Sequence, residues 1–184
     1  LTPSVTIEAD QTIFCAGTSV TFSVDALTNG GLTPTYQWKL NGSTIIGANN
    51  SIYTTTSLVN NDSITLDVTS SATCSSPAMV SSNSIQVTVN PNVPTSVNII
   101  SNDADNTICA GTSITFTAIP TNGGITPSYQ WYVGATPVGS NSPTYTTSVL
   151  TTGQSVTVVM TSNATCATGS PATSNVIITT VNPN

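Results

Sequence analysis

The chain of 184 residues is 38% hydrophobic, enough to pack one large or two small domains, yet only 4% of it is charged, with one cation, no His and a formal charge of −6. That single cation, Lys39, cannot displace the counterions of a phosphate backbone or hold an anionic bilayer, so nucleic acid and membrane surfaces are disfavoured as partners. No apolar run approaches the ~20 residues that span a bilayer, so membrane insertion is not expected. Polarity carried by Thr, Ser and Asn among Val and Ile predicts an all-β fold.

Taken in order, Ser4-Val5-Thr6-Ile7 alternates polar and apolar as an opening strand does, and Ser96-Val97-Asn98-Ile99 repeats it. Cys15-Ala16-Gly17-Thr18-Ser19 follows and recurs letter for letter as Cys109-Ala110-Gly111-Thr112-Ser113. Each copy then has a strand with Val20, Phe22 and Val24, or Ile114, Phe116 and Ala118, on one face. Next comes the most distinctive stretch, Thr28-Asn29-Gly30-Gly31-Leu32-Thr33-Pro34-Thr35-Tyr36-Gln37-Trp38. Its copy is Thr121-Asn122-Gly123-Gly124-Ile125-Thr126-Pro127-Ser128-Tyr129-Gln130-Trp131. A turn of Asn, Gly, Gly and Pro feeds a strand whose alternate residues, Tyr36 and Trp38 or Tyr129 and Trp131, share a face. These four aromatics are the predicted structural core.

Beyond the Trp the copies diverge, as a surface loop is free to do, and they converge again at Tyr53-Thr54-Thr55 and Tyr145-Thr146-Thr147. A further strand places Ile64, Leu66 and Val68, or Val156, Val158 and Met160, inward, and Cys74 or Cys166 follows in Ala-Thr-Cys. The last strand is predicted to turn in Ile85, Val87 and Val89, or Val176, Ile178 and Val181.

The offset between copies is 94 at the first Cys, 93 at the Trp and 92 at the second Cys. A unit of that length is a complete domain and not a solenoid turn. Two tandem immunoglobulin-like β-sandwich domains are expected, at 1–91 and 92–184, joined through Asn90-Pro91-Asn92-Val93-Pro94, where two prolines stiffen the connection. Trp38 falls 14 residues after Val24, where an antibody-type domain carries its first Cys. The inter-sheet disulfide of antibody domains is missing, because those positions are apolar. The chain closes both copies on Asn-Pro-Asn and begins without Met or a signal peptide, so an excised or processed piece of a longer array is expected.

The order Cys-Ala-Gly-Thr-Ser, Thr-Asn-Gly-Gly-x-Thr-Pro-x-Tyr-Gln-Trp, Tyr-Thr-Thr-Ser, Ser-Val-Thr-Val-Val-Met-Thr-Ser-Asn-Ala-Thr-Cys and Val-Asn-Pro resembles the repeats of very large secreted surface proteins of Bacteroidetes, including gliding-motility adhesins. The resemblance covers nearly the whole chain, more faithfully in the second copy. It implies type IX export, an extracellular cell-surface location and a stalk of many modules. It carries over no catalytic residue. Asp62-Ser63-Ile64 also resembles the O-glycosylation motif of Bacteroidetes, making Ser63 a candidate modification site; the second copy has Gln154-Ser155-Val156 there.

An even count of cysteines, two per copy at equivalent places and with no His to share a metal, reads as disulfides of an oxidising compartment. Two connectivities stay open. Cys15–Cys74 with Cys109–Cys166 closes each module on itself and is the preferred pairing. Cys15–Cys166 joins modules and leaves Cys109 and Cys74 to outer neighbours. Glu8 and Asp10, or Asp103 and Asp105, offer carboxylate oxygens for calcium, but solvated loop acids are the better reading. No cofactor or metal is expected. Tyr132, opposite Trp131, is the one ring expected to be exposed for sugar stacking. Ser and Thr abound, but with no His or Arg there is no usual base and no anion clamp, so the chain is not read as an enzyme.

The function expected is structural: a repeat of an extracellular adhesin stalk or surface filament, whose partners are neighbouring repeats, other copies in a filament and surface glycans. The alternative is a glycan- or protein-binding module, using loops 39–52 and 132–143, of the kind that is accessory to a secreted enzyme.

Overall fold

Alternation along each segment decides which side chains turn inward, because successive residues of a strand face opposite sides of its sheet. The computed structural model describes residues 1–184 and divides into two compact units, Leu1–Pro91 and Asn92–Asn184. Each unit has its own apolar core.

In the first unit the strands are β1 (Ser4–Ala9), β2 (Ile13–Cys15), β3 (Val20–Thr28), β4 (Thr35–Leu40), β5 (Ser43–Thr44), β6 (Ile52–Thr55), β7 (Ser63–Thr69), β8 (Met79–Ser81), β9 (Ile85–Gln86) and β10 (Thr88–Asn90). One layer is the antiparallel sheet β1-β3-β6, and the other is β5-β4-β7-β8, with β9 also on β7. The chain between β1 and the first Cys changes layers, so that β2 lies parallel beside β10. This is an immunoglobulin-like sandwich.

The second unit repeats it. After β11 (Val93–Pro94) come β12 (Ser96–Ser101), β13 (Thr107–Cys109), β14 (Ile114–Thr121), β15 (Ser128–Val133), β16 (Thr136–Val138), β17 (Thr144–Thr147), β18 (Ser155–Thr161), β19 (Ala167–Thr168), β20 (Ala172–Thr173), β21 (Ile177–Ile178) and β22 (Thr180–Asn182). Here β12-β14-β17 faces β16-β15-β18-β20, and β13 runs parallel to β22.

The cores are filled by the inward residues of both layers. Val5, Ile7, Val20, Phe22, Trp38, Ile64, Leu66 and Val68 are buried in the first unit, and Val97, Ile99, Ile114, Phe116, Trp131, Val156, Val158 and Met160 in the second. Each fully buried aliphatic or Phe side chain contributes roughly 1.5–3 kcal/mol of transfer free energy, so these layers account for most of what holds each sandwich closed. Val24 is only half-buried at the core's edge.

The last strand of the second unit corrects the sequence reading. Val176 and Ile178 are exposed, while Ile177 and Thr179 are buried, with Val181 half-buried. A slip of one residue reverses every side chain of a strand. The inward position matching Val87 is a threonine, Thr179, whose amide donates to the Gln154 carbonyl at 3.1 Å, and a polar residue there hid the register.

Candidate functional site: the cysteine-bearing poles of each sandwich

Each sandwich has a leading pole, where its first residues arrive, and a trailing pole, where its last strand leaves. The distinctive Asn-Gly-Gly turn builds the leading pole. Asn29 and Asn122 hold φ of 53° and 52°, left-handed values that asparagine tolerates better than most residues. Their side-chain amides donate to the Thr2 carbonyl at 2.8 Å and the Pro94 carbonyl at 2.7 Å, clamping the incoming chain. Gly31 and Gly124 combine positive φ with close approach. A Cβ on Gly31 would run into the Ala72 amide and Ser71 Oγ, and one on Gly124 into Asn163 Oδ1 and the Ala164 amide. Only glycine lets the loop after β7 or β18 lie against the turn.

That loop carries the second cysteine of each copy. Cys74 and Cys166 have φ of 62° and 61°. The carbonyl of Cys74 accepts from the Leu1 ammonium at 2.9 Å, and that of Cys166 from the Val93 amide at 2.9 Å. These cysteines therefore sit beside the incoming chain.

At the trailing pole the first cysteine of each copy ends the short strand parallel to the last one. Cys15 lies in register with Asn90, and Cys109 with Asn182. The next amide, of Ala16 or Ala110, donates to that Asn carbonyl at 2.9 Å, and the carbonyl of Cys15 or Cys109 accepts from Thr18 or Thr112 at 3.0 Å. The identical Cys-Ala-Gly-Thr letters thus encode one turn, used twice.

Cys15 and Cys166 are disulfide-bonded, whereas Cys74 and Cys109 are exposed free thiols. Pairing inside each repeat, the preferred sequence reading, is not what the structure holds, and the reason is distance. Cys15 precedes β3, and the Cys74 loop packs on the turn that follows it, through the Ser71 amide to the Gly30 carbonyl at 2.9 Å. The nine residues of β3 separate the two poles by roughly 25–30 Å at ~3.3 Å per residue. A bridge needs Cα atoms within ~7 Å.

The predicted aromatics have structural places. Trp38 and Trp131 have no exposed surface, Tyr129 is buried and Tyr36 half-buried. The indole N–H donates to the Asn50 carbonyl at 2.8 Å in one unit and the Ser142 carbonyl at 2.9 Å in the other, stapling the variable loop after the Trp to the core. Tyr53 and Tyr145, quoted in the sequence only as points of convergence, complete an aromatic cluster: their rings lie 6.0 Å from Trp38 and 5.9 Å from Trp131. Tyr132 is half-buried.

Ser63 starts β7 and bonds Ser84 through their hydroxyls, while the neighbouring Asp62 is buried and accepts from the Asn41 amide and the Val59 N–H, both at 2.8 Å. The candidate calcium acids are occupied by their own loops. Asp10 accepts from the Thr21 amide at 3.1 Å, Glu8 from the Ser23 hydroxyl at 3.3 Å, and Asp103 and Asp105 converge on the Thr107 amide at 3.0 Å each.

One charged feature escaped the sequence reading. Lys39 forms an ion pair with Asp67 across the outer face of β4 and β7, and Ser81 donates to the same carboxylate at 2.6 Å. Burial pushes the Asp67 carboxyl up, but the hydrogen bonds from Lys39 and Ser81 and the Lys39 charge outweigh it and hold the group below its ordinary range. Alternation put both residues on the outer face, but neither spacing nor composition said that they meet. The second unit has Tyr132 and Val159 at these places. Two open clefts lie on that unit, one of about 230 Å³ lined by Val133, Val138, Tyr145 and Leu150 among others, and one of about 310 Å³ lined by Ile99, Ser101, Asp103, Asn106 and Ile177 among others; the first is below and the second at the ~300 Å³ at which ligand pockets begin.

No known family profile and no curated protein match this chain. Solved structures similar to it include murine CEACAM1b, at 13% identity over 97% of this chain and 100% of that one, with a TM-score of 0.43. Fibronectin(III)-like modules of Clostridium thermocellum CbhA align at 14% identity over 95% of this chain and 94% of theirs, with a TM-score of 0.38. Three N-terminal domains of the bacteriophage RB49 highly immunogenic outer capsid protein align at 14% over 98% of this chain and 59% of that one, with a TM-score of 0.41. The sandwich fold of this chain rests on its own strand pairing.

Proposed function

We propose that this chain is a structural repeat of an extracellular stalk or cell-surface filament, serving surface attachment or gliding motility in the manner of the large Bacteroidetes surface proteins it resembles. The observation that carries the reading is the complete sandwich present twice, with cysteines at the same two poles of both. A module whose distinctive residues are spent on closing its ends is suited to being joined to others. The clamp of Asn29 on Thr2, repeated by Asn122 on Pro94, supports this, because the most recognisable stretch serves the incoming chain. The disulfide-bonded state of Cys15 and Cys166 supports an oxidising, extracellular setting.

The role is mechanical. Each sandwich is a bead with buried aromatic packing, and the two prolines of segment 90–94 restrict the backbone that joins the beads. Small-angle scattering tests this: a maximum dimension matching two sandwiches end to end is expected, and a profile of two units folded against each other would count against it.

A second reading, recognition of glycan or protein by the loops after each Trp, is favoured by one observation. Ile46, in loop 39–52, is 97% exposed with no counterpart of its kind in the shorter second loop. Binding on a glycan array that is lost when 39–52 or 132–143 is replaced would select it.

A further inference from the structure

We propose that the second unit binds a single neutral sugar ring in the cleft of about 230 Å³ lined, among others, by Val133, Thr136, Val138, Tyr145, Leu150 and Gln154. The inference deepens the second reading, recognition by the loops after each Trp, and rests on it; the stalk reading does not depend on it.

The first unit shows what the same backbone does when this place is bridged. The amides of Asn41 and Gly134 donate to the Ser63 and Ser155 carbonyls at 2.8 Å, and those of Asp62 and Gln154 to the Val59 and Thr151 carbonyls at 3.1 and 3.2 Å. The side chains cap the same turn as well: the Val59 N–H donates to Asp62 at 2.8 Å and the Thr151 N–H to Gln154 at 2.9 Å. The difference lies across the loop. Asn41 donates to the other Asp62 oxygen at 2.8 Å and accepts from the Ser63 amide at 2.9 Å. At the place of Asn41 the second unit has Gly134, with no side chain, and Leu40 is shortened to Val133. Gln154 therefore meets no bridging amide, and its own side-chain nitrogen is left without a partner in the chain.

The lining is mixed and uncharged. Val133, Val138 and Leu150 form an apolar wall, and the Tyr145 ring is held by packing on Trp131 and Phe116, at centroid distances of 5.9 and 6.3 Å. Val149, 80% exposed where the first unit has Ser57, extends that wall outward. Beside it the Thr136 and Tyr145 hydroxyls join the Gln154 amide as hydrogen-bonding groups with no partner in the chain. A few polar groups set in an apolar lining are what fixes a ligand's orientation. Asp103 and Asp105 are the only charged side chains of this unit, and neither lines the cleft. An ionic ligand would lose its water there without meeting a counter-charge. A pyranose ring matches instead: its C–H face meets the apolar wall and the Tyr145 ring, while its hydroxyls both donate and accept, as the groups facing them do. The volume falls short of a drug-sized ligand, so one ring enters and the rest of a glycan stays in water.

The test titrates the isotope-labelled 184-residue chain with the methyl glycosides of glucose, galactose, mannose and N-acetylglucosamine, and separately with phenol, reading amide shifts by NMR. The expected result is saturable shifts at 133–138 and 145–154 with at least one glycoside, while 40–45 and 53–62 stay still. A variant carrying V133L, G134N and Q154D restores the first unit's bridge, and asparagine suits that turn because Asn41 holds φ of 51° and Gly134 59°. It is expected to weaken binding by about tenfold or more, as the loss of space and of one or two hydrogen bonds implies. Tyr145→Phe keeps the ring packing and removes only the hydroxyl, so it decides the matter even if the triple variant fails to fold; a loss of about threefold to tenfold is expected. No shift with any glycoside at about 100 mM, shifts with phenol alone, equal shifts in the first unit's loop, or wild-type affinity in both variants would each overturn the inference. A silent cleft beside glycan-array binding that is lost on replacing 39–52 or 132–143 sinks this site and leaves the second reading standing, whereas silence in both assays removes both.

Discussion

Trp38 is the residue on which the first sandwich depends most directly, and Trp38→Phe measures how much. The indole is fully buried between Phe22 and Tyr53 and donates to the Asn50 carbonyl at 2.8 Å. Phe retains one ring. Loss of the second leaves a partly filled space costing on the order of 1–2 kcal/mol, and the Asn50 carbonyl loses its donor for about 1–2 kcal/mol more. The sum, about 3 kcal/mol, is a large part of the roughly 5–14 kcal/mol expected for a domain of this size. It corresponds to an increase on the order of a hundredfold in the population of the open form. Hydrogen exchange read by mass spectrometry separates the units: amides of Ile64–Val68 are expected to exchange about a hundredfold faster, while those of Val156–Met160 keep their rate. Exchange of 64–68 within about threefold of the wild type would refute the assignment of Trp38 as the closure of the sandwich.

Gly31→Ala is expected to cost about 3 kcal/mol or more, because left-handed strain of about 1–2 kcal/mol adds to collision with Ser71 and Ala72. Gly17→Ala, at a similar φ of 83° but with nothing near its Cβ, pays the strain alone, and urea midpoints of the two variants check the order. Asp67, whose folded pKa lies below its unfolded one, contributes stability that is present above the ordinary carboxylate range and lost as pH falls through its folded pKa. The first unit should therefore weaken on acidification below about pH 4. Asp67→Asn should remove that part of the dependence, about 1 kcal/mol or less for a pair with Lys39 partly in water. Hydrogen exchange at low pH reads this, and an unchanged acid limb would exclude the ion pair as its source. Burial raises the Tyr129 hydroxyl, so its contribution to the second unit is complete below about pH 10 and is lost as pH rises further. Tyr129→Phe is expected to flatten that alkaline limb in denaturation curves, and a limb of unchanged slope would contradict it.

The sequence by itself determined the class of fold and its duplication. Alternation of Val, Ile, Leu and Phe is a local, period-two signal, and each of Val20, Phe22, Ile64, Leu66 and Val68 lies inside where that signal put it. The final strand of the second unit failed at one point, because Thr179 replaced an aliphatic residue at an inward position and the period then favoured Val176 and Ile178. What only the tertiary structure decided are the meetings of residues far apart in the chain. The Asn-Gly-Gly turn was legible as a turn, but not as a clamp on Thr2 and Pro94 or as a seat for the loops bearing Cys74 and Cys166. Lys39 and Asp67 are joined by strand register, and the separation of the two cysteines of each module follows from the opposite poles they occupy. Local composition specifies a strand or a turn through steric and solvation preferences. Whether the two cysteines of a module can meet depends on the length of β3 between the poles, which becomes a distance only when the chain is folded.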